Sequence, residues 1–110
     1  MKDFLPYGRH SIDEDDLRAV REALTSGWLT QGPRVEGFER EAAAYFGVKH
    51  AVAVSSGTAA LHVACLALGA APGQKVITTP NTFVASANCF VQCGAEPVFT
   101  DIGPLDYQLD

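Results

Sequence analysis

Residues 51–100 read AVAVSSGTAALHVACLALGAAPGQKVITTPNTFVASANCFVQCGAEPVFT, and this stretch decides the fold that the sequence predicts. Apolar runs rich in Val, Ile and Thr begin at Ala51, Lys75 and Pro97, and two longer segments of helical composition separate them. Strands separated by helices need crossover connections, so the strands pair in parallel and the βαβ units are right-handed. Runs that do not alternate strictly are typical of strands covered on both faces. The stretch therefore predicts an α/β fold with a parallel-rich sheet.

A possible phosphate turn, Ser55-Ser56-Gly57-Thr58, lies between the first predicted strand and its helix. A glycine between hydroxyl residues lets backbone N–H groups and a hydroxyl converge on an anion, and the helix dipole there favours phosphate. The alternative is an ordinary helix cap, because Ser and Thr are standard cap residues. Neither common nucleotide-binding signature is present, so the residue pattern leaves both alternatives open.

Two further groups of residues are candidates for binding. Thr79-Pro80-Asn81-Thr82-Phe83 follows the second predicted strand, at the sheet edge where ligands gather in open α/β folds. Phe83 has the shape to stack on a flat ring, but the residues alone favour a place in the core. Tyr7, Trp28 and Thr30 lie on predicted loops, where they either bind a ligand or pack against a neighbour.

Composition narrows the class of protein. A chain of 110 residues that is 47% hydrophobic is enough for one small globular domain. Its net charge of -5 argues against nucleic acid or an anionic membrane as a partner. The sequence shows no signal peptide and no stretch of transmembrane length, which predicts a cytoplasmic protein. Cys65, Cys89 and Cys93 are interpreted as buried thiols in a reducing compartment, and no metal site is predicted.

The segments before residue 51 predict an arm and two helices. Residues 1–10, with Phe4 and Leu5, are expected to form an extended arm. A capping box over Ser11 to Glu14 predicts a first helix that ends near Ser26. The apolar face of the second predicted helix consists of Val35, Phe38, Ala42 and Tyr45, and Gly47 is its predicted end. Because the chain stops three strands into a sheet, we expect it to be the front portion of a larger protein.

Five ordered blocks of sequence resemble the start of a known enzyme family. They are LTQGPRVEGFE from Leu29, GVKHAV from Gly47, SSGTAAL from Ser55, TTPNTFVASAN from Thr78 and GAEPVFTDI from Gly94. Together they are similar to the DegT/DnrJ/EryC1/StrS family of sugar aminotransferases. The first and fourth blocks most resemble the branch of the family that makes an amino-sugar precursor of pseudaminic acid.

The resemblance implies a fold and a set of site residues. The fold would be the N-terminal part of a large domain of the aspartate-aminotransferase type (fold type I), with pyridoxal 5′-phosphate (PLP) as cofactor. Residues 1–34 would form an arm, helix and loop, and residues 35–110 an incomplete PLP-binding domain. Gly57 and Thr58 would hold the cofactor phosphate, and Phe83 would stack on its ring rather than lie in the core. The residues implied near the substrate are Tyr7, Trp28, Leu29, Thr30 and Ser56.

The resemblance also implies an activity and its partners. An amino group would pass from an amino acid, glutamate, to a UDP-linked keto-sugar nucleotide, in a homodimer with the active site at the interface. The Schiff-base lysine of relatives lies beyond residue 110, and Lys2, Lys49 and Lys75 are in the wrong context. The segment alone is therefore predicted to contain no catalytic residue and to be inactive.

Three alternatives to an aminotransferase stay open from the sequence. The first is a PLP-dependent sugar dehydratase, in which His replaces the cofactor lysine. The second is a non-catalytic member of the same fold that senses a sugar or the cofactor. The third is a small free-standing nucleotide-binding module, which the missing phosphate-loop signatures disfavour.

Overall fold

A computed structural model describes residue 6 and residues 8–109. The elements are α1 (Glu14–Thr25), α2 (Pro33–Phe46), α3 (Gly57–Ala67), β1 (Lys75–Thr78), α4 (Ala85–Gln92) and β2 (Glu96–Phe99). The chain divides into two compact units, residues 1–52 with α1 and α2 and residues 53–110 with the other elements. The domain boundary expected after residue 34 stays a prediction. Within the described residues, no helix has the length and apolar character needed to cross a membrane.

The start of α1 differs from the sequence prediction. The cap is Asp13 and not Ser11: the Asp13 carboxylate accepts from the N–H groups of Asp15 at 2.9 Å and Asp16 at 3.1 Å. The Asp16 carboxylate in turn accepts from the Asp13 N–H at 3.0 Å, which completes a capping box. The prediction of a box from Ser11 to Glu14 is therefore wrong. Asp caps a helix as well as Ser does, and this start places three acidic side chains against the positive helix end.

The ends of both helices in the first unit agree with the sequence prediction. Helix α1 ends at Thr25, with Ser26 as its C-cap. Helix α2 begins at Pro33 and is followed by Gly47. Of the apolar face predicted for α2, Phe38 and Tyr45 remain exposed in this structure. The predicted arm, residues 1–10, lies for the most part outside the described residues.

The core of the second unit lies where α3 packs against α4. Its buried apolar residues are Cys65, Ala85, Ala87, Cys89 and Ala95. All of these side chains are small, so the two helices can approach closely. Helix α4 also packs against β1 and β2.

The sheet consists of two parallel strands. Strand β1 pairs with β2 from Lys75 opposite Glu96 to Thr78 opposite Phe99, and α4 forms the crossover between them. This pairing confirms the predicted parallel arrangement of the second and third runs. The predicted strand at residues 51–54 is wrong, because those residues form no strand. A strand needs a neighbour for its hydrogen-bond ladder, and in the described chain β1 and β2 pair only with each other.

A proline interrupts one side of β2. The N–H groups of Glu96 and Thr100 donate to the carbonyls of Gln74 and Thr78, both at 2.9 Å. Since successive N–H groups point to opposite sides of a strand, position 97 faces away from β1. Pro97, which has no N–H, therefore costs the ladder with β1 no hydrogen bond.

Helices α3 and α4 end in the same way. The N–H groups of Gly69 and Ala70 donate to the carbonyls of Leu66 and Cys65, both at 3.0 Å. After α4, Gly94 and Ala95 make the equivalent bonds at 2.9 and 3.0 Å. Both glycines are left-handed, with φ of 77° at position 69 and 80° at position 94. These bonds and angles define a Schellman motif at each helix end.

The two glycines form a matched pair for a stability test. A Cβ on Gly94 would lie 2.8 Å from the Pro72 Cγ, whereas a Cβ on Gly69 would meet nothing within 4 Å. We expect Gly69→Ala to cost about 1 kcal/mol from backbone strain alone. Gly94→Ala should cost ~1–3 kcal/mol more because it also overpacks the contact with Pro72. Urea unfolding followed by circular dichroism measures both, and equal losses would show that Pro72 moves aside freely.

The buried thiol of Cys65 is electrostatically perturbed. Burial raises its pKa from 9.0 to about 11, and a hydrogen bond with the Cys89 thiol and the charges of Cys89 and Cys93 add to the effect. All three thiols are free; Cys65 and Cys89 are buried and Cys93 is half-buried. In the described part of the chain, no group of three or more potential ligand side chains is arranged to hold a metal ion.

The raised pKa of Cys65 predicts a loss of stability at alkaline pH. Below pH 9 the thiol is protonated in both states, so it adds no pH dependence. Between pH 9 and about 11 the unfolded state loses this proton first, so the free energy of unfolding falls as pH rises. Cys65→Ala should lower stability at pH 8 but flatten the decline between pH 9 and 11. Urea titrations across this range measure it, and parallel declines in both proteins would contradict the prediction.

Candidate functional site

The start of α3 offers two backbone donors. Ser56 is the N-cap, since its Oγ accepts from the Ala59 N–H at 3.1 Å. Its carbonyl accepts from the Ala60 N–H at 3.0 Å. Within the described chain, the N–H groups of Gly57 and Thr58 have no hydrogen-bond acceptor. Ser56 therefore caps the helix, as the second alternative expects, and the next two amides lie without an acceptor at the positive helix end. A phosphate site would need such amides, and the phosphate turn stays a prediction.

Phe83 lies on the loop that joins β1 to α4. Its side chain is 72% exposed, so the core position that the residues alone favour is wrong for this structure. Hydrogen bonds fix the loop both before and after Phe83 in the sequence. Thr79 Oγ1 accepts from the Asn81 N–H at 3.1 Å, and the Phe83 carbonyl accepts from the Ser86 N–H at 2.9 Å.

One cleft of about 720 Å³ joins these features. Its lining residues are Gly57, Thr58, Ala60, Leu61, Ala64, Phe83, Ala85 and Ser86. The three residues predicted to bind a cofactor, Gly57, Thr58 and Phe83, thus lie around the same cleft. Ser56 precedes the cleft as the helix cap and is not among its lining residues.

Three of the remaining predicted site residues lie in one loop of the first unit. Trp28, Leu29 and Thr30 lie in the loop between α1 and α2 of the first unit, and both Trp28 and Leu29 are exposed. Ser26 holds the loop, because its Oγ accepts from the Trp28 N–H at 3.2 Å and donates to the Ala23 carbonyl at 2.8 Å. Tyr7 lies outside the described residues.

Ser86 is a cleft residue that the sequence analysis did not single out. Its hydroxyl lies 3.1 Å from the Thr82 Oγ1. The signal was present, because hydroxyl residues four positions apart flank Phe83 in the sequence. Four-residue spacing brings side chains together only once helical geometry is established, so the pattern had no meaning without the position of α4.

The first unit has a cleft of its own along α2, of about 500 Å³. Among the residues that line it are Glu36, Arg40, Lys49 and His50. Both acidic and basic side chains line it, and among the described lining residues there is no Phe, Tyr or Trp and no helix N-terminus. The arrangement therefore selects no class of ligand.

Comparison with known proteins decides the family. The model of the DegT/DnrJ/EryC1/StrS aminotransferase family matches residues 10–110. The chain belongs to this family. It is 50% identical over 107 residues to the spore coat polysaccharide biosynthesis protein SpsC of Bacillus subtilis, a match that covers 97% of this chain. The same match covers 28% of SpsC, so the chain spans little more than a quarter of that relative.

Solved structures confirm the predicted fold. Spr1654 of Streptococcus pneumoniae, named as a sugar aminotransferase, superposes in its PLP form with a TM-score of 0.90 and 33% identity, over 96% of this chain and 27% of that one. Helicobacter pylori PseC, an aminotransferase involved in the biosynthesis of pseudoaminic acid, gives a TM-score of 0.87 and 37% identity, over 96% of this chain and 29% of that one. Spr1654 also has a PMP form, so the prediction of PLP as the family's cofactor is confirmed.

The cleft fits the two ends of PLP. The free amides of Gly57 and Thr58 suit a phosphate, because backbone donors at a helix start need no cationic side chain. The exposed ring of Phe83 and the apolar wall formed by Leu61 and Ala64 suit a flat heteroaromatic ring. Among the described residues no charged side chain lines the cleft, so within that part of the chain the positive potential comes from the helix end.

A substitution at Gly57 tests whether the start of α3 binds the cofactor phosphate, separately from any role of the glycine in the fold. The test protein is a full-length chimera in which this chain replaces the matching segment of SpsC, called here the SpsC chimera. A Cβ on Gly57 would meet nothing within 4 Å, so Gly57→Ala should leave the apo protein's melting temperature unchanged. The added methyl would stand beside the two donor amides, and we expect PLP to bind about tenfold more weakly, equivalent to about 1.4 kcal/mol.

The control for this test is Thr58→Ser, which keeps both the amide and a hydroxyl. Its PLP affinity should stay close to that of the unsubstituted chimera, measured by spectrophotometric titration. A fall in the melting temperature of apo Gly57→Ala would instead indicate that the glycine serves the fold.

Proposed function

We propose that this chain forms the cofactor seat of a PLP-dependent aminotransferase that aminates a keto-sugar nucleotide, with an amino acid as donor. The observation that carries the proposal is the single cleft that joins the free amides of Gly57 and Thr58 to the exposed ring of Phe83. Support for a sugar substrate comes from the names of SpsC, a polysaccharide biosynthesis protein, and of PseC.

In this proposal, residues of this chain bind the cofactor and orient its ring. The Gly57 and Thr58 amides hold the cofactor phosphate, and the helix dipole favours its negative charge. The face of Phe83 packs on the cofactor ring and excludes water from it. When bound, PLP supplies an electron sink for the transfer of the amino group. These contacts set the position of the cofactor ring relative to whatever enters from the open side of the cleft.

The substrate side of the proposal involves the loops. Trp28, Leu29 and Thr30 are proposed to contact the nucleotide sugar, together with Tyr7. An exposed indole on a loop held by Ser26 has the shape to pack against a base or a sugar. The Ser56 hydroxyl uses a lone pair to cap α3 and keeps its proton to donate to a substrate oxygen.

The finer details follow the resemblance. We propose a UDP-linked sugar on the path to pseudaminic acid, which the 37% identity to PseC supports. We propose glutamate as the amino donor, a homodimer with the active site at its interface, and a cytoplasmic location.

The segment alone is proposed to be inactive. Lys75 lies at the amino end of β1, 3.9 Å from the Glu96 carboxylate, whereas Phe83 follows the carboxyl end of that strand. Lys49 follows α2 in the first unit, and neither lysine lines the cleft. Lys2 lies outside the described residues. The described residues thus provide a cofactor-binding cleft but no lysine amine in that cleft to which the cofactor can be attached covalently.

Turnover by the SpsC chimera tests this function. With PLP, glutamate and a UDP-4-keto sugar, mass spectrometry should detect the amino sugar, and the isolated 110-residue chain should form none under the same conditions. Release of a deoxygenated sugar without a new amine would contradict the proposal. PLP binding without turnover, when SpsC itself is active on the same substrate, would favour the non-catalytic sensor.

A further inference from the structure

The loop that carries Phe83 is fixed by a pair of hydroxyls. Thr82 Oγ1 and Ser86 Oγ lie 3.1 Å apart, on either side of Phe83 in the sequence. The Ser86 N–H also donates to the Phe83 carbonyl at 2.9 Å. The side-chain bond therefore closes a loop of five residues, 82–86, and the backbone bond closes a turn of four, 83–86.

The start of α4 has no side-chain cap among the described residues. The N-cap residue of α4 is Val84, which makes no side-chain cap hydrogen bond. The first backbone bonds of the helix, from Ala87 and Asn88, both go to the Val84 carbonyl, at 3.2 and 3.0 Å. The Thr82–Ser86 pair is thus the only side-chain hydrogen bond that spans the loop-to-helix junction within the described residues.

The pair also lies between two cavities. Ser86 lines the 720 Å³ cleft that contains Gly57, Thr58 and Phe83. Thr82 lines a separate, mostly apolar cavity of about 210 Å³, together with Pro80 of the loop, Ala87 of α4 and Phe99 of β2. The hydroxyl pair therefore joins the wall of one cavity to the wall of the other, at the position where the ring enters the cleft.

Phe83 depends on this loop for its orientation. Its side chain is 72% exposed, so packing against the described residues holds the ring weakly. The direction of the ring then follows from the backbone of residues 82–86. A hydrogen bond between neutral hydroxyls is modest in net strength, but it selects one loop geometry from those open to an exposed segment.

We propose that the Thr82–Ser86 hydroxyl pair is a positioning element that aims the Phe83 ring at the cofactor ring. This inference rests on the proposed function, because it takes the cleft to be the PLP seat. The pair acts through Phe83 and does not itself touch the reacting atoms. Each hydroxyl matters only while the other is present and while the aromatic ring is there to be aimed.

The test uses the SpsC chimera and its variants Ser86→Ala, Thr82→Val and the double variant. Each single change should weaken PLP binding roughly threefold to tenfold and alter the visible circular dichroism of the bound cofactor, because the ring no longer holds it at a fixed angle. The double variant should be no worse than either single one, since both remove the same bond. Ser86→Thr keeps the hydroxyl and should restore both signals.

A second background separates positioning from other roles. In Phe83→Ala, adding Ser86→Ala should change neither PLP affinity nor the visible circular dichroism. An effect of Ser86→Ala that persists without the ring would overturn the proposal in favour of direct contact with the cofactor. Additive losses from Thr82→Val and Ser86→Ala, with a lowered melting temperature of the apo protein, would overturn it in favour of a purely structural role.

The two proposals fail in distinguishable ways. If the unsubstituted chimera does not bind PLP although SpsC does, the proposed function falls and the positioning role falls with it. If the chimera binds PLP and both single variants bind it equally well with an unchanged spectrum, only the positioning role is overturned. Because Thr82→Val and Ser86→Ala break the same bond from opposite sides, one folded variant is enough for the test.

Discussion

The close packing of α3 against α4 is the constraint on which the candidate site depends. The two helices meet through small buried side chains, among them Cys65, Ala87 and Cys89. This contact brings the amino end of α3 and the loop before α4 to one cleft, although they are far apart in the sequence. A larger side chain at any of these positions would separate the backbone donors from the aromatic ring, because a close-packed interior has no spare volume.

The cleft presents backbone N–H groups to an anion. Its donors are the main-chain amides of Gly57 and Thr58, and no lysine or arginine of the described residues lines it. Backbone donors are present with every residue except proline, so any other substitution leaves them in place and can only obstruct them. Specificity then depends on what surrounds the amides: the Ser56 cap that uses the next donor, and the ring of Phe83 opposite.

Much of the fold could be predicted because its signals are local. Runs rich in Val, Ile and Thr at Lys75 and Pro97, with a helix between them, were enough to predict a parallel pair, and Gly47 was enough to predict a helix end. The strand expected at residues 51–54 failed because strand formation depends on a partner, which composition does not reveal. The predicted cap of α1 was wrong because Ser11 and Asp13 lie two positions apart and both residue types can cap a helix. In the structure the cap is Asp13.

The site was predictable only in part, for a related reason. The residue types at Gly57 and Thr58 predict a turn. Whether that turn lines a cleft depends on which other residues the fold brings near it, and the residue types do not show this. Phe83 was ambiguous because the same side chain serves a core or a ligand, and only its exposure separates the two. Ser86 could not be predicted as a site residue, because a serine inside a helix does not by itself indicate a site. Its contact with Thr82, four residues earlier, is known only from the structure.

Pro97 gives β2 two unlike sides. Toward β1, the N–H groups of Glu96 and Thr100 donate and the ladder is intact. On the other side, Pro97 in the middle of the strand provides no N–H group. A strand that paired there would therefore have one backbone carbonyl without a hydrogen-bond donor. Sheet growth by unspecific stacking of copies is therefore disfavoured at this margin, in the way that natural sheets guard themselves against aggregation. A short strand with many apolar neighbours thus carries its own protection against fibre formation.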